Sequence, residues 1–169
     1  MKLILPRLAS LSLAFILSAC SISNTAESND PFLRKGVGLS ISAANYVNRS
    51  VFFRLDDGHN GGGLADAGSS EKPGSSGSMC CFTVTNLNKP VKVEMRWAAI
   101  KEPSVLGADG ALVDGKVLTP AVTKQILVKL PPRIPRITPN GHIRSENVMC
   151  IIFKNLNTVE LKYSNSYDC

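Results

Sequence analysis

Apolar and polar residues alternate along most of the chain, and the alternation has a period of two. The clearest case runs Val91-Lys92-Val93-Glu94-Met95-Arg96-Trp97. Val91, Val93, Met95 and Trp97 fall on one side, and Lys92, Glu94 and Arg96 on the other. That is the pattern of a strand with one dry face and one wet face. Val37, Leu39 and Ile41 alternate within residues 36–46, and Val51, Phe52, Phe53 and Leu55 crowd residues 50–56. The turn-forming stretch Val47-Asn48-Arg49 between them predicts a hairpin. Further strands are expected at residues 79–84, 125–130, 148–153 and 158–164, the last two joined by a turn at 154–157. No helical period is visible outside the N-terminal run. About six to seven short strands with glycine-rich turns predict an all-β fold, an antiparallel sandwich or open barrel.

The breaks are as informative as the strands. Residues 56–78 are rich in glycine and serine and hold almost nothing to bury, which predicts a mobile loop without elements. Its removal from Gly61 to Gly77 is expected to leave the fold intact. Residues 101–116 form a second loop with turn signals at Asp109-Gly110 and Asp114-Gly115. The prolines of residues 131–142 bar regular pairing there.

The N-terminus has a different grammar. Lys2 and Arg7 precede an apolar run of about twelve residues, Leu8 to Ala19. A helix spanning a bilayer needs about 20, so a basic head and a short apolar middle predict a secretory signal over residues 1–19. Leu17-Ser18-Ala19-Cys20 resembles the bacterial lipobox, which implies cleavage before Cys20 and acylation of that cysteine. Each buried methylene contributes about 0.8 kcal/mol, and several chains together anchor a protein firmly. Ser21 after the cysteine, by analogy with enteric lipoproteins, directs the expectation to the outer membrane, facing the periplasm. Residues 20–35 read as a lipidated flexible tether, and residues 36–169 as a single β domain with one core.

The formal charge is +6, and losing Lys2 and Arg7 with the signal takes it to about +4. The cations are scattered rather than clustered, so no nucleic-acid partner is expected. Beyond Cys20 there are Cys80, Cys81, Cys150 and Cys169. An even count in an oxidising compartment predicts disulfides, with three possible connectivities. Neighbours on a strand point to opposite faces, which favours separate partners for Cys80 and Cys81, with bridges from that segment to Cys150 and Cys169. Without a CxxC pair, and with only His59 and His142 as further ligands, no metal is expected.

Catalytic chemistry finds little to stand on. His59 lies close to Asp56 and Asp57, but glycines surround it, and a catalytic group needs rigid support. No Gly-x-Ser-x-Gly elbow and no phosphate-binding Gly-Lys-Ser/Thr signature occurs. The expectation is a protein that is not an enzyme and takes no cofactor or small-molecule substrate.

Asn45-Tyr46, Arg49-Ser50-Val51 and Phe53, then a glycine-rich loop, Gly77-Ser78-Met79-Cys80-Cys81, and the Val91–Trp97 strand together resemble a family of Gram-negative lipoproteins formerly of unknown function. Several of its members are immunity proteins of type VI secretion phospholipase effectors. The resemblance covers roughly residues 37–98. It implies a periplasm-facing lipoprotein that binds a secreted phospholipase and blocks its active site. The alternative is an envelope structural or assembly lipoprotein that binds another outer-membrane component. For the phospholipase-binding reading, the loops at 56–78 and 101–116 are the candidate contact segments, with Asp56, Asp57, His59, Asn60, Glu71 and Lys72 as candidate partner-binding residues.

Overall fold

A computed structural model describes residues 31–56, 61–77, 79–138 and 145–169, apart from the side chains of residues 31, 32 and 80. The signal segment, Cys20, Asp57, His59, Asn60 and His142 lie outside the described residues. After a single helical turn (Pro31–Arg34), the chain forms β1 (Val37–Asn45), β2 (Val51–Asp56), β3 (Gly62–Ala65), β4 (Gly74–Ser75), β5 (Met79–Val84) and β6 (Val91–Trp97). Four short strands follow: β7 (Ile100–Lys101), β8 (Val105–Leu106), β9 (Leu112–Val113) and β10 (Val117–Thr119). The chain ends with β11 (Val122–Val128), β12 (Val148–Asn155) and β13 (Thr158–Ser164). The strands expected from period-two alternation all form, and the remaining six are short.

Two sheets make the all-β body. The first has the order β13-β12-β1, with β5 and β4 sharing the remaining edge of β1; the second has the order β11-β6-β2-β3. Their inner faces carry the expected alternating positions. Leu39, Ile41, Phe82, Met149, Ile151 and Phe153 from the first sheet meet Val51, Phe53, Leu55, Val93, Met95 and Trp97 from the second in one buried cluster. Phe153 sits between Phe53 (ring centroids 5.4 Å apart) and the edge of Trp97 (5.8 Å, 82°). Burying each such side chain contributes about 1.5–3 kcal/mol. Leu33 also joins this cluster, so packed structure starts inside the stretch expected to be tether.

Four expectations are corrected. First, β1 and β2 do not form a hairpin. Each belongs to a different sheet, and residues 46–50 are the corner where the chain crosses between them. Asn45 builds that corner: its Oδ1 accepts from Val47 N (3.0 Å), and its Nδ2 donates to the carbonyls of Arg49 and Asp66 (2.7 Å each). This is the local self-bonding for which asparagine is favoured in turns. Second, β1 pairs in parallel with β12, Ser42 opposite Cys150 and Ala44 opposite Ile152, within an otherwise antiparallel set. Parallel strands are covered on both faces and read as unbroken apolar runs. Val148–Phe153 is such a run and is buried at every position.

Third, residues 56–78 are not an element-free loop. β3 pairs with β2, β4 pairs with β1, and Ala65 is fully buried. The glycines allow close approach: a Cβ on Gly61 would lie 2.4 Å from the Cys81 carbonyl oxygen. Deleting Gly61–Gly77 therefore removes two strands. Fourth, Cys150 is bridged to Cys169, with Cα atoms 5.5 Å apart, so neither is joined to the Cys80–Cys81 segment. Cys81 is itself disulfide-bonded.

The Cys150–Cys169 bridge explains the double burial of β12. After β13 the tail folds back over the outer face of the first sheet. Ser42 Oγ donates to the Tyr167 carbonyl (2.7 Å), and Tyr167 Oη lies 3.4 Å from Ser40 Oγ. Residues 131–138 of the proline-rich stretch make no ladder and are held by one carboxylate instead. Glu146 accepts from both guanidinium nitrogens of Arg133 (2.5 and 2.8 Å), and from the backbone N–H (2.8 Å) and side chain (3.1 Å) of Arg136.

Candidate partner-binding surface

The second candidate loop is a structured arm. Where β6 ends and β11 begins, the two strands continue past the sheet as a narrow ribbon. β7 pairs with β10, then β8 with β9, Val105 opposite Val113 and Leu106 opposite Leu112. The tip is closed by Gly107 N donating to Ala111 O (2.7 Å) and Ala111 N donating to Asp109 Oδ1 (3.1 Å). Gly110 takes φ +77° there, a conformation in which glycine is unstrained. Lys101 and Asp114 pair across the ribbon, which holds the Asp114 carboxyl below its usual range by hydrogen bonding and charge.

Adjacent strand positions face opposite sides, so Val105 and Val113 lie on one face of the ribbon and Leu106 and Leu112 on the other. All four are exposed, at 62, 52, 71 and 74 % respectively. Val117 and Leu118 extend the apolar surface towards the root. None of these side chains belongs to the core. A two-stranded ribbon alone is marginally stable in water, and one apolar on both faces is a surface that gains by being covered.

The root of the arm is held from the crossover corner. Arg49 is buried and has no carboxylate beside it among the described residues. Its Nε donates to Ala98 O (2.8 Å), and Nη2 donates to Ala98 O and to Pro120 O (2.7 Å). Ala98 follows β6 and Pro120 precedes β11, so one guanidinium ties together the two strands where they leave the sheet. Beside the root, the outer face of the second sheet dips into an open depression of about 410 Å³, lined by Phe52, Leu64, Arg96, Ala98 and Ala121 among others. Ala99 and Ala121 bring the depression up to the root of the arm.

Of the candidate residues named from sequence, the described ones, Asp56, Glu71 and Lys72, do not come together. Asp56 ends β2 at the end of the sandwich away from the arm and pairs with Lys92 (2.9 Å); that hydrogen bond, with the charge of Asp56, raises the Lys92 ammonium above its ordinary value. Glu71 and Lys72 stand exposed at the arm end, in a turn closed by Ser69 N donating to Lys72 O (2.8 Å). Among the described residues no three His, Cys, Asp or Glu side chains stand together as a metal site, and no helix is long and apolar enough to cross a membrane. Sequence reasoning flagged residues 101–116 but missed their form. The signal was present: Val105-Leu106 and Leu112-Val113 mirror each other about a turn, which is a hairpin pattern. Arg49 and Arg96 carried no such signal, because an arginine's partners depend on strands distant in sequence.

No family model, no curated protein and no solved structure matches this chain.

Proposed function

We propose that this protein is a lipid-anchored, periplasm-facing immunity protein that binds a secreted phospholipase effector and covers its active site. The carrying observation is the arm, a ribbon with Val105 and Val113 exposed on one face and Leu106 and Leu112 on the other. A ribbon apolar on both faces suits insertion into a cleft, which buries both faces at once. An enzyme that takes acyl chains from a membrane presents an apolar entrance, and the depression beside the arm root enlarges the surface that could reach the standard interface of about 1,600 Å². The lipobox-like Leu17-Ser18-Ala19-Cys20 supplies the reason for meeting such a toxin at the membrane. Inhibition by occlusion needs a rigid scaffold and no catalytic group.

The test is protection. Cells that export a type VI phospholipase effector, chosen as one encoded beside this gene where the neighbourhood holds one, should survive when the full chain is co-expressed, and die with Leu106→Asp/Leu112→Asp. Those side chains touch no core, so folding should be unaffected, within about 0.5 kcal/mol, as read from fluorescence of the single tryptophan, Trp97. Full protection by the double variant removes the arm from the mechanism. No protection by the wild-type chain, with a defect in envelope assembly when it is deleted, replaces the immunity reading with an assembly role. Palmitate labelling lost in Cys20→Ala checks the anchor.

A further inference from the structure

We infer that Arg96 is the anchor for a carboxylate of the bound protein, an Asp or Glu flanked by apolar side chains; this rests on the protein-binding reading above. The outer face of the second sheet can be followed row by row through its register. One row runs Asp56–Lys92–Leu127, and the next Gly62–Arg54–Glu94–Gln125. In these rows every charge is matched: Lys92 with Asp56 (2.9 Å) and Glu94 (3.6 Å), Arg54 with Glu94 (3.4 Å), and Gln125 donates to Glu94 (2.8 Å). The third row, nearest the arm, runs Leu64–Phe52–Arg96–Thr123. Arg96 has no ion pair among the described residues, and it lies in the depression beside Phe52 and Leu64, both exposed.

A free guanidinium against an apolar floor has a defined complement. It takes a carboxylate through two parallel N–H···O bonds, and covering by apolar groups lowers the local dielectric and strengthens the pair. The shape selects a protein over a small amphiphile. Small-molecule sites enclose most of the ligand surface, whereas this depression lies open on a sheet face and ends at Ala99 and Ala121 beside the arm root. A side chain presented from a larger surface is buried by its own neighbours as it docks.

The probes are two peptides with fluorescein on the N-terminal amine, fluorescein-Leu-Phe-Asp-Leu-Phe-amide and its Asn counterpart. They are titrated by anisotropy against the full chain on phosphatidylcholine vesicles, with protein-free vesicles as the blank. The Asp peptide should bind about tenfold more tightly than the Asn peptide. Arg96→Met should abolish the preference and Arg96→Lys keep part of it; Arg96 is exposed, so both variants should melt with the wild type. Equal binding of the two peptides, or a preference that survives Arg96→Met, overturns the inference. So does Arg96-dependent retention of dodecanoate without peptide discrimination, or an Arg96-dependent dimer in sedimentation. If peptide preference is absent while cells remain protected, this inference alone fails; if preference is intact without protection, the immunity reading fails and the carboxylate anchor stands.

Discussion

Glu146 is buried and ionised because two arginines surround it. Hydrogen bonding from Arg133 is the main reason that its carboxyl falls to about 2, against the opposing effect of burial. Arg133 in turn lies 5.4 Å over the Tyr163 ring, and burial pushes that phenol up to about 12. A carboxyl depressed in the folded state stabilises fully above its unfolded value of 4.5, and the contribution disappears as pH falls from there through about 2. At roughly 1.4 kcal/mol per unit, the stabilisation at neutral pH is on the order of 3 kcal/mol. Urea melts followed by Trp97 fluorescence should show Glu146→Gln less stable than wild type by about that amount at pH 7, with the gap closing between pH 4.5 and 2. A gap that stays constant with pH sinks the assignment.

Arg49 makes the same point with carbonyls in place of a carboxylate. Hydrogen bonds involving a charged group contribute about 1.5–3 kcal/mol. Arg49→Met should destabilise by that order in the same melts, and should weaken the proposed toxin neutralisation more than its stability loss explains, because the arm root loses its tie. Of this scale the sequence revealed only fragments. Asn45 and Arg49 stood in the stretch that carried the family resemblance, yet their work is to shape the corner and brace the arm. Nothing local marks Glu146, whose partners Arg133 and Arg136 lie across residues 137–145.

At the scale of elements, the C-terminal tail and the arm contrast. The tail covers apolar surface and is locked by a covalent bond; the arm exposes apolar surface and is held only at its root. Closing a loop over a separation of 19 residues contributes about 3 kcal/mol by the chain-entropy account. Cys169→Ser should lose about 2–4 kcal/mol and open the outer face of β1 and β12 near Ala44 and Ile152, read as a lower urea midpoint together with new binding of a hydrophobic dye. An unchanged midpoint would mean that the tail holds without its bridge. The strands themselves were legible because an alternating pattern reports burial one residue at a time. β3 and β4 were not, since glycine and serine carry no pattern and their strands exist only because β1 and β2 offer edges to pair with.

For the whole molecule, the sandwich places its features at two ends. The crossover corner, the Glu71–Lys72 turn, the β12–β13 turn and the arm share one end; Asp56 and the β5–β6 turn lie at the other. The corner and the β12–β13 turn meet where Lys154 sits 5.1 Å over the Tyr46 ring. This arrangement separates candidate residues that are close in sequence and gathers others that are far apart. The seven longer strands and the all-β class followed from the sequence by itself, because whether a residue faces oil or water is a local property with a short period. The parallel β1–β12 pairing, the Cys150–Cys169 bridge, the burial of both faces of β12 and the solitary charge of Arg96 were decided by the tertiary structure. Each depends on which distant segment lies alongside, and a one-dimensional pattern shows which face a side chain occupies without showing what stands opposite it.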